Sequence, residues 1–241
     1  MNDSNSKVKI AWWGKHFGEE PPLVGSKDQG AGGMFFSGCN LRCVFCQNKQ
    51  ISQENLGRDY SIEELVEMML VLQKRGAVNI DLVTPTIWWQ QIKAAIILAK
   101  EKGLTIPIVW NSNGYEAVEI LQEMKGLVDI YLPDFKYSDD ELAWKYSGIK
   151  KYLAVTKKAI EEMYSQVGLF KENNEVGESG LIVRHMVLPG AVENSCHVLE
   201  ELASIDTRIH VALMNQYCPL YGAKDFPEID RTITTEEYEL V

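Results

Sequence analysis

Residues 79–136 read NIDLVTPTIWWQQIKAAIILAKEKGLTIPIVWNSNGYEAVEILQEMKGLVDIYLPDFK. Short apolar segments alternate here with longer segments of helical periodicity, and each helical segment stops at a glycine, Gly103 or Gly126. The predicted elements are strand 79–83, helix 88–102, strand 107–110, helix 115–125 and strand 128–132. This β-α-β-α-β order is typical of a parallel sheet with right-handed crossover connections.

The same alternation continues on both sides of this stretch. The further predicted strands are Gly33 to Ser37, Leu181 to Leu188 and Arg208 to Leu213, and the further helices are 61–76, 139–146, 152–167 and 193–204. Six parallel strands form either an open sheet or a sheet curved into a barrel, and in both cases a ligand lies at the C-terminal strand ends. No linker interrupts residues 7–230, so we expect one domain: an N-terminal extension (1–32), a core (33–220) and a C-terminal segment (221–241).

Composition excludes several classes of function. Acidic residues outnumber basic ones 34 to 24, and the basic residues are scattered, which argues against nucleic acid and anionic membranes as partners. No signal-peptide core or membrane-length apolar run is present, so we expect a cytoplasmic protein. In that reducing compartment, clustered cysteines indicate a metal site or redox chemistry rather than disulfides.

Three cysteines follow the first predicted strand in a Cys-x3-Cys-x2-Cys pattern, Cys39, Cys43 and Cys46. Zinc in a structural site takes four protein ligands, and the other two cysteines, Cys196 and Cys218, are far away in sequence. Three thiolates on an iron–sulfur cluster leave one iron open to a small molecule. The spacing favours such a cluster, with a zinc site and a Cys43/Cys46 dithiol couple as alternatives.

The motif, with Phe45 before the third cysteine, resembles that of the radical S-adenosylmethionine (SAM) superfamily. Residues 38–43, Gly-Cys-Asn-Leu-Arg-Cys, more closely resemble pyruvate formate-lyase activating enzymes and a little-characterised branch of them. The resemblance covers about residues 8–238. It implies an α/β fold, a partial (β/α)6 TIM-like barrel, with a [4Fe-4S] cluster on the three cysteines and SAM chelated to the open iron. One electron from the cluster would cleave SAM to a 5'-deoxyadenosyl radical that abstracts a hydrogen atom.

The resemblance also assigns roles at two strand ends. Where many family members have Gly-Gly-Glu for the SAM amino group, this chain has Thr84 and Thr86, whose hydroxyls or neighbouring carbonyls are alternative acceptors. Asp134 and Lys136 match an Asp-x-Lys segment beside SAM, and their spacing puts both on one face. The family's monovalent-cation site uses this Asp and the residue matching Asn111, where an Asp is usual. The alternative for the segment with Thr84 and Thr86 is a plain turn before a helix. The alternative for Asp134 and Lys136 is a loop ion pair.

Later strand ends complete the predicted SAM site. Arg184 matches an arginine near the SAM carboxylate or ribose, and Ser112 lies at the end of the third strand, beneath the methionine or ribose portion. Gln216, with Asn215, stands near a SAM-contacting histidine of the family and is assigned to adenosine. His185 alternates with Arg184 and faces the other side of the strand, so we predict a structural histidine.

These observations predict a radical SAM oxidoreductase that generates a glycyl radical on a partner protein, with flavodoxin or ferredoxin as electron donor. Radical modification of a small molecule or peptide is an alternative, and a non-catalytic zinc-binding protein is the alternative from another class. A capped helix begins at Thr234, close to the last residue, Val241, so a shortened C-terminus is one interpretation of the sequence.

Overall fold

The computed structural model of the protein describes residues 7–241, so residues 1–6 of the predicted N-terminal extension lie outside the described part. Within residues 7–241 the strands are β1 (Lys7–His16), β2 (Ala31–Phe36), β3 (Arg58–Ser61), β4 (Ile80–Val83), β5 (Ile108–Ser112), β6 (Ile130–Pro133), β7 (Lys171–Asn173), β8 (Val176–Met186) and β9 (His210–Met214). The helices are α1 (Pro21–Val24), α2 (Lys49–Ser52), α3 (Ile62–Lys74), α4 (Trp89–Glu101), α5 (Val118–Glu123), α6 (Asp140–Ser147), α7 (Tyr152–Val167), α8 (Val192–Ile205) and α9 (Thr235–Glu239). Among these helices, none has both the length and the apolar character needed to cross a bilayer.

Six parallel strands form the centre of the sheet, in the order β2-β4-β5-β6-β8-β9. They correspond to the six predicted strands, and the predicted partial barrel is confirmed. Antiparallel strands extend both sides: β1 pairs with β2, β3 pairs with the outer edge of β1, and β7 pairs with β8. The sheet is curved and not closed.

Strand alternation separates an outer from an inner layer of side chains. Trp110 and Tyr131 face outward into the large core beneath the helices. Their neighbours Val109, Ile130 and Leu132 face the interior of the barrel, where they form a second, smaller apolar cluster. The interior is therefore packed near the strand starts, as in other barrels.

The segment that follows β1 fills the N-terminal end of this interior. Leu23 of α1 is fully buried in the inner cluster, against Val109, Ile130 and Ile182. The Asn79 amide donates to the Leu23 carbonyl at 2.8 Å and fixes the segment to the start of β4. We call residues 17–24 the plug.

Three predictions about secondary structure need correction. Residues 7–32 contribute β1 to the same sheet, whereas the sequence predicted only an extension. The predicted polar loop before the fifth strand is the β7–β8 hairpin, whose turn residues Asn174 and Glu175 have positive φ (51° and 65°), as type I′ turns require. Helix α5 begins at Val118 rather than Tyr115, because the Glu116 side chain turns into the core and accepts from Trp110 and Thr86 at 3.0 and 2.9 Å.

Candidate active site

A cavity of about 650 Å³ opens at the C-terminal ends of the parallel strands. The cysteine loop, the plug residues Gly18 to Glu20, and the ends of β4, β5, β6, β8 and β9 all contribute to its lining. Every predicted site residue except Thr86 lines this cavity. Ten of the predicted site residues, from separate segments of the chain, therefore lie around one cavity. This agrees with the rule that ligand sites lie at the C-terminal ends of parallel strands.

The three cysteine sulfurs each have a separate hydrogen-bonding partner. Cys39 Sγ accepts from the Leu41 amide at 3.4 Å and from the Asn113 side chain at 3.3 Å. The Ser147 hydroxyl lies 3.0 Å from Cys43 Sγ, and the Ser52 hydroxyl lies 3.2 Å from Cys46 Sγ. Such contacts orient cysteine ligands and stabilise negative charge on sulfur.

The donor chemistry of this loop fits an iron–sulfur cluster. Burial raises the pKa of the Cys43 thiol to about 11 and raises that of Cys39, so metal binding displaces protons from these thiols. Within residues 7–241, no three Cys, His, Asp or Glu side chains converge on a point in the manner of a single-ion site. A cluster takes its thiolates on different irons, so its ligands need not converge on one point, and all three cysteines line the same cavity.

A charged network forms the floor of the cavity. Arg184 donates through Nε to Asp134 Oδ1 at 2.9 Å, through Nη1 to Glu19 Oε1 at 2.9 Å and through Nη2 to Asn111 Oδ1 at 2.7 Å. Asn111 Nδ2 donates to Glu19 Oε2 at 2.9 Å. The side chains of Asp134 and Lys136 lie on the same face of the segment after β6, as their spacing predicts, and form an ion pair.

Electrostatics keep this network charged despite its burial. Burial by itself would raise the pKa of the Asp134 carboxyl, but Arg184 and Lys136 overcome it and hold that pKa below its usual value. Burial opposes the charge on Lys136 in the same way, and Asp134 and Cys43 raise its pKa. Asp81 is different: burial and the neighbouring Glu19 carboxylate raise its pKa well above the ordinary value. The carboxyl oxygens of Asp81 are buried without a hydrogen bond of good geometry, which disfavours their charged form.

The loop after β5 joins the network to the cysteine loop. Asn113 Nδ2 donates to Asn40 Oδ1 at 2.6 Å, and Asn40 Nδ2 donates to the Tyr115 carbonyl at 2.8 Å. Gly114 has a positive φ of 77°, and a Cβ there would lie 2.1 Å from the Asp134 carbonyl oxygen. The Tyr152 hydroxyl accepts from the Lys136 amide at 3.0 Å. These contacts fix the relative positions of the cysteine loop and the charged floor.

The other predicted residues lie in different settings. Thr84 lines the cavity with a positive φ of 61°, an uncommon backbone conformation for a β-branched residue. The Thr86 hydroxyl points away from the cavity and donates to Glu116. Ser112 is buried at the cavity wall, and its hydroxyl accepts from the Gly114 amide at 3.2 Å. Gln216 is exposed at the rim.

His185 and the two remaining cysteines lie outside the cavity. His185 is fully buried behind the sheet, with Nδ1 2.6 Å from the Phe135 carbonyl and Nε2 2.8 Å from the Ser195 hydroxyl. The predicted structural role is confirmed. Cys196 lies on α8 and Cys218 is exposed after β9.

Several residues in and beside the site were not predicted from the sequence. Glu19 and Glu20 belong to the plug, which does not follow a predicted strand. Burial raises the pKa of Glu20, which lines the cavity beside Arg184. Asn113 was within a quoted strand end, but only its contact with Cys39 distinguishes it from its neighbours. Asp81 lies in mid-strand, and nothing in its spacing indicates a buried carboxyl.

A partial α/β barrel whose cysteines, cations and amides share one cavity has the architecture of a cofactor-dependent enzyme. A protein-family model of the radical SAM superfamily matches residues 34–202. The chain belongs to this superfamily. Family membership implies SAM and a [4Fe-4S] cluster as cofactors.

Individual relatives support this membership. An uncharacterized protein of Methanocaldococcus jannaschii is 34% identical over 238 residues, which cover 93% of this chain and 63% of the relative. The chain thus spans less than two thirds of that relative. The pyruvate formate-lyase-activating enzyme of Clostridium pasteurianum is 25% identical over 221 residues, covering 82% of this chain and 84% of that enzyme. The crystal structure of Streptococcus suis SuiB bound to S-adenosylmethionine shares the fold with a TM-score of 0.57 at 14% identity, covering 84% of this chain and 43% of SuiB.

The monovalent cation implied by the resemblance does not fit the residues present. Its expected ligands, Asn111 and Asp134, direct their side-chain oxygens to the Arg184 guanidinium. Each of these hydrogen bonds is 2.9 Å or shorter, so the guanidinium already occupies this part of the floor.

Proposed function

We propose that this radical SAM enzyme generates a glycyl radical on a partner protein. The observation that carries the proposal is the convergence of three cysteines, two cations and polar strand ends on one cavity. The similarity to the Clostridium pasteurianum activating enzyme, which extends over most of both chains, supports the choice of reaction.

Cys39, Cys43 and Cys46 are proposed to hold the cluster at one end of the cavity. When bound and reduced, the cluster supplies one electron that cleaves SAM to methionine and a 5'-deoxyadenosyl radical, which takes a hydrogen atom from the substrate to give 5'-deoxyadenosine. The chain contributes the thiolate ligands and the hydrogen bonds to their sulfurs. Apolar side chains, including Phe35, Leu41 and Leu213, exclude water from the same space.

The charged floor is proposed to orient the SAM methionine portion. Lys136 and Arg184 attract its carboxylate, while Asp134 lies between the two cations and holds them in position. Thr84 provides a hydroxyl and a strand-end carbonyl for the ammonium group. Thr86 is no part of this proposal, because it does not line the cavity and its hydroxyl donates to Glu116.

The amide-rich wall is proposed to hold the rest of SAM. Asn111 and Ser112 lie at the end of β5, beneath the methionine or ribose portion. Asn215 and Gln216 line the cavity beyond β9, and we assign them to the adenosine. Amide groups both donate and accept, as recognition of adenine and ribose requires.

The first test measures SAM cleavage. The protein is reconstituted anaerobically with iron and sulfide, reduced and mixed with SAM, and 5'-deoxyadenosine is quantified. We expect product from the wild type and from Cys218→Ser, and none from Cys43→Ser. A fully reconstituted and reduced wild type that forms no 5'-deoxyadenosine would overturn the proposal.

The second test addresses the substrate. A glycyl radical enzyme from the same genome is added with its electron donor, flavodoxin or ferredoxin, and the radical is followed by electron paramagnetic resonance. We expect a radical on the partner whose hydrogen splitting changes when the partner contains α-deuterated glycine. The structure of SuiB bound to its precursor peptide SuiA shares the fold (TM-score 0.56). A parallel set of reactions therefore offers a peptide or a small molecule in place of the partner protein. Product formation with a peptide or small molecule, and no partner radical, would favour direct substrate modification.

A further inference from the structure

The Arg184 guanidinium is surrounded by oxygen atoms from three separate parts of the chain. Asp134 follows β6, Asn111 is the penultimate residue of β5, and Glu19 belongs to the plug; all three accept hydrogen bonds of 2.7–2.9 Å from Arg184. A parallel bridge between Asp134 and Arg184 fixes the backbone on one side. The side chains of Arg184 and Glu19 are only 16% and 8% exposed, so water screens little of this interaction.

Glu19 also determines which atom Asn111 presents to the guanidinium. One Glu19 oxygen accepts from Arg184 and the other accepts from Asn111 Nδ2 at 2.9 Å. The amide nitrogen of Asn111 therefore faces Glu19, and its oxygen faces Arg184. Arg184, Glu19 and Asn111 form a closed ring of three hydrogen bonds.

Two carboxylates and an amide oxygen around one point are the kind of ligands that a hard metal cation prefers. In this chain the same oxygens surround a guanidinium, which carries a permanent positive charge and has donors in a fixed planar arrangement. A metal ion in this place would have to displace Arg184 from all three partners. The Arg184 guanidinium already supplies the positive charge that these acceptor oxygens need.

We propose that Arg184 is a built-in replacement for a metal cation at the floor of the cavity, so that the protein binds its ligand without a monovalent ion. Glu19 is the positioning residue that completes the oxygen set and orients Asn111. The part of this inference that concerns the ligand rests on the proposed function, while the part that concerns the cation does not.

The first experiment needs no SAM. The melting temperature of the protein is measured in KCl, NaCl and choline chloride at one ionic strength. The wild type should show the same value in all three salts. Arg184→Ala opens the three oxygens, so its melting temperature should be lower in choline and should rise saturably with K⁺ or Na⁺. Arg208→Ala, which removes an exposed arginine paired with Asp206, is the matched control and should not respond to the cation.

The second experiment measures the Kd for SAM on the reconstituted protein in the same salts. The wild-type Kd should agree within about twofold in all salts, as expected when no ion is taken up. Arg184→Ala should bind at least tenfold more weakly in choline and recover at least threefold in K⁺ or Na⁺. Arg184→Lys retains a fixed charge and should remain independent of the cation.

Three results would overturn the inference: a saturable response of the wild type to K⁺ or Na⁺, an Arg184→Ala variant that ignores cations, or a cation-dependent Arg184→Lys variant. If Arg184→Ala does not fold, the wild type and Arg184→Lys still decide the question. Absence of SAM binding by the wild type would contradict the proposed function, and the melting experiment would still test the cation.

Discussion

The Asn113 side chain donates a hydrogen bond to Cys39 Sγ at 3.3 Å, across 74 residues of sequence. A donor to a cluster ligand stabilises the more negative, reduced state. We therefore expect Asn113→Ala to lower the midpoint potential of the reconstituted cluster by roughly 20–60 mV, the equivalent of part or all of one neutral hydrogen bond. A redox titration followed by electron paramagnetic resonance measures the shift. Asn173→Ala, in the exposed hairpin, is the control, and an unchanged or higher potential in Asn113→Ala would contradict the assignment.

The cysteines are expected to divide into two groups. Cys39→Ser, Cys43→Ser and Cys46→Ser should each lose most of the iron and sulfide after anaerobic reconstitution, because each sulfur faces the cavity. Cys196→Ser and Cys218→Ser should retain the full content. Metal analysis of the untreated protein also distinguishes the alternatives, because stoichiometric zinc without sulfide would support a zinc protein.

Lys136 is expected to contribute to SAM binding without holding the cluster. Removing a charge-assisted contact of about 1.5–3 kcal/mol weakens binding by about ten- to a hundredfold, so Lys136→Met should raise the Kd for SAM by that factor. Equilibrium dialysis on the reconstituted variant gives this value, and its iron content should match the wild type. Lys157→Met, which breaks the ion pair with Glu201 outside the cavity, is the control. Normal SAM binding by Lys136→Met would remove this residue from the site.

His185 is expected to make stability depend on pH. Burial lowers its pKa below the ordinary 6.5, so the unfolded chain binds a proton at a higher pH than the folded protein does. Because the unfolded chain binds more protons than the folded protein, the free energy of unfolding falls as the pH drops below about 6.5. The slope is at most ~1.4 kcal/mol per pH unit for one group.

Urea unfolding at several pH values between 5 and 7.5, around the ordinary histidine pKa, tests this expectation. His185→Gln should be less stable at the upper end and should show a shallower dependence on pH. His197→Gln, on the exposed face of α8, should keep the wild-type slope. Equal slopes for all three proteins would show that His185 is not responsible.

The plug is expected to stabilise the fold as well as the site. Leu23 is fully buried among inner-cluster side chains, so Leu23→Ala should lower the free energy of unfolding by about 2–5 kcal/mol. Leu240 is 70% exposed, and Leu240→Ala should change stability by no more than about 0.5 kcal/mol. Denaturant titrations of the two variants give the comparison, and similar values for both would mean that the plug is dispensable for folding.

The parallel strands were predictable because buried strands and glycine-terminated helices leave a strong periodic signal. The position of the site followed from one topological rule, since strand ends such as Asn111 and Asp134 must meet at one edge of a parallel sheet. Antiparallel edge strands leave a weaker signal. The β7–β8 hairpin has exposed, polar residues on its first strand, and its turn is formed by Asn174 and Glu175 without a glycine.

Glu19 could not be found from sequence for a different reason. Its partner Arg184 is 165 residues away, and no spacing rule connects them. The pairing depends on how the plug enters the barrel, which is set by the packing of Leu23 and the hydrogen bond from Asn79. The raised pKa of Asp81 comes first from burial and then from the neighbouring Glu19 carboxylate. Charges that originate in an irregular segment thus become predictable only after the tertiary fold is known.

The position of the plug also bears on how ligands reach the cavity. Leu23 fills the N-terminal end of the barrel interior, and the cavity above the charged floor opens at the C-terminal strand ends. A protein substrate seated over that opening would cover whatever lies beneath it. If a partner protein docks there in the proposed reaction, SAM must bind before the partner, and methionine and 5'-deoxyadenosine must leave after the partner dissociates.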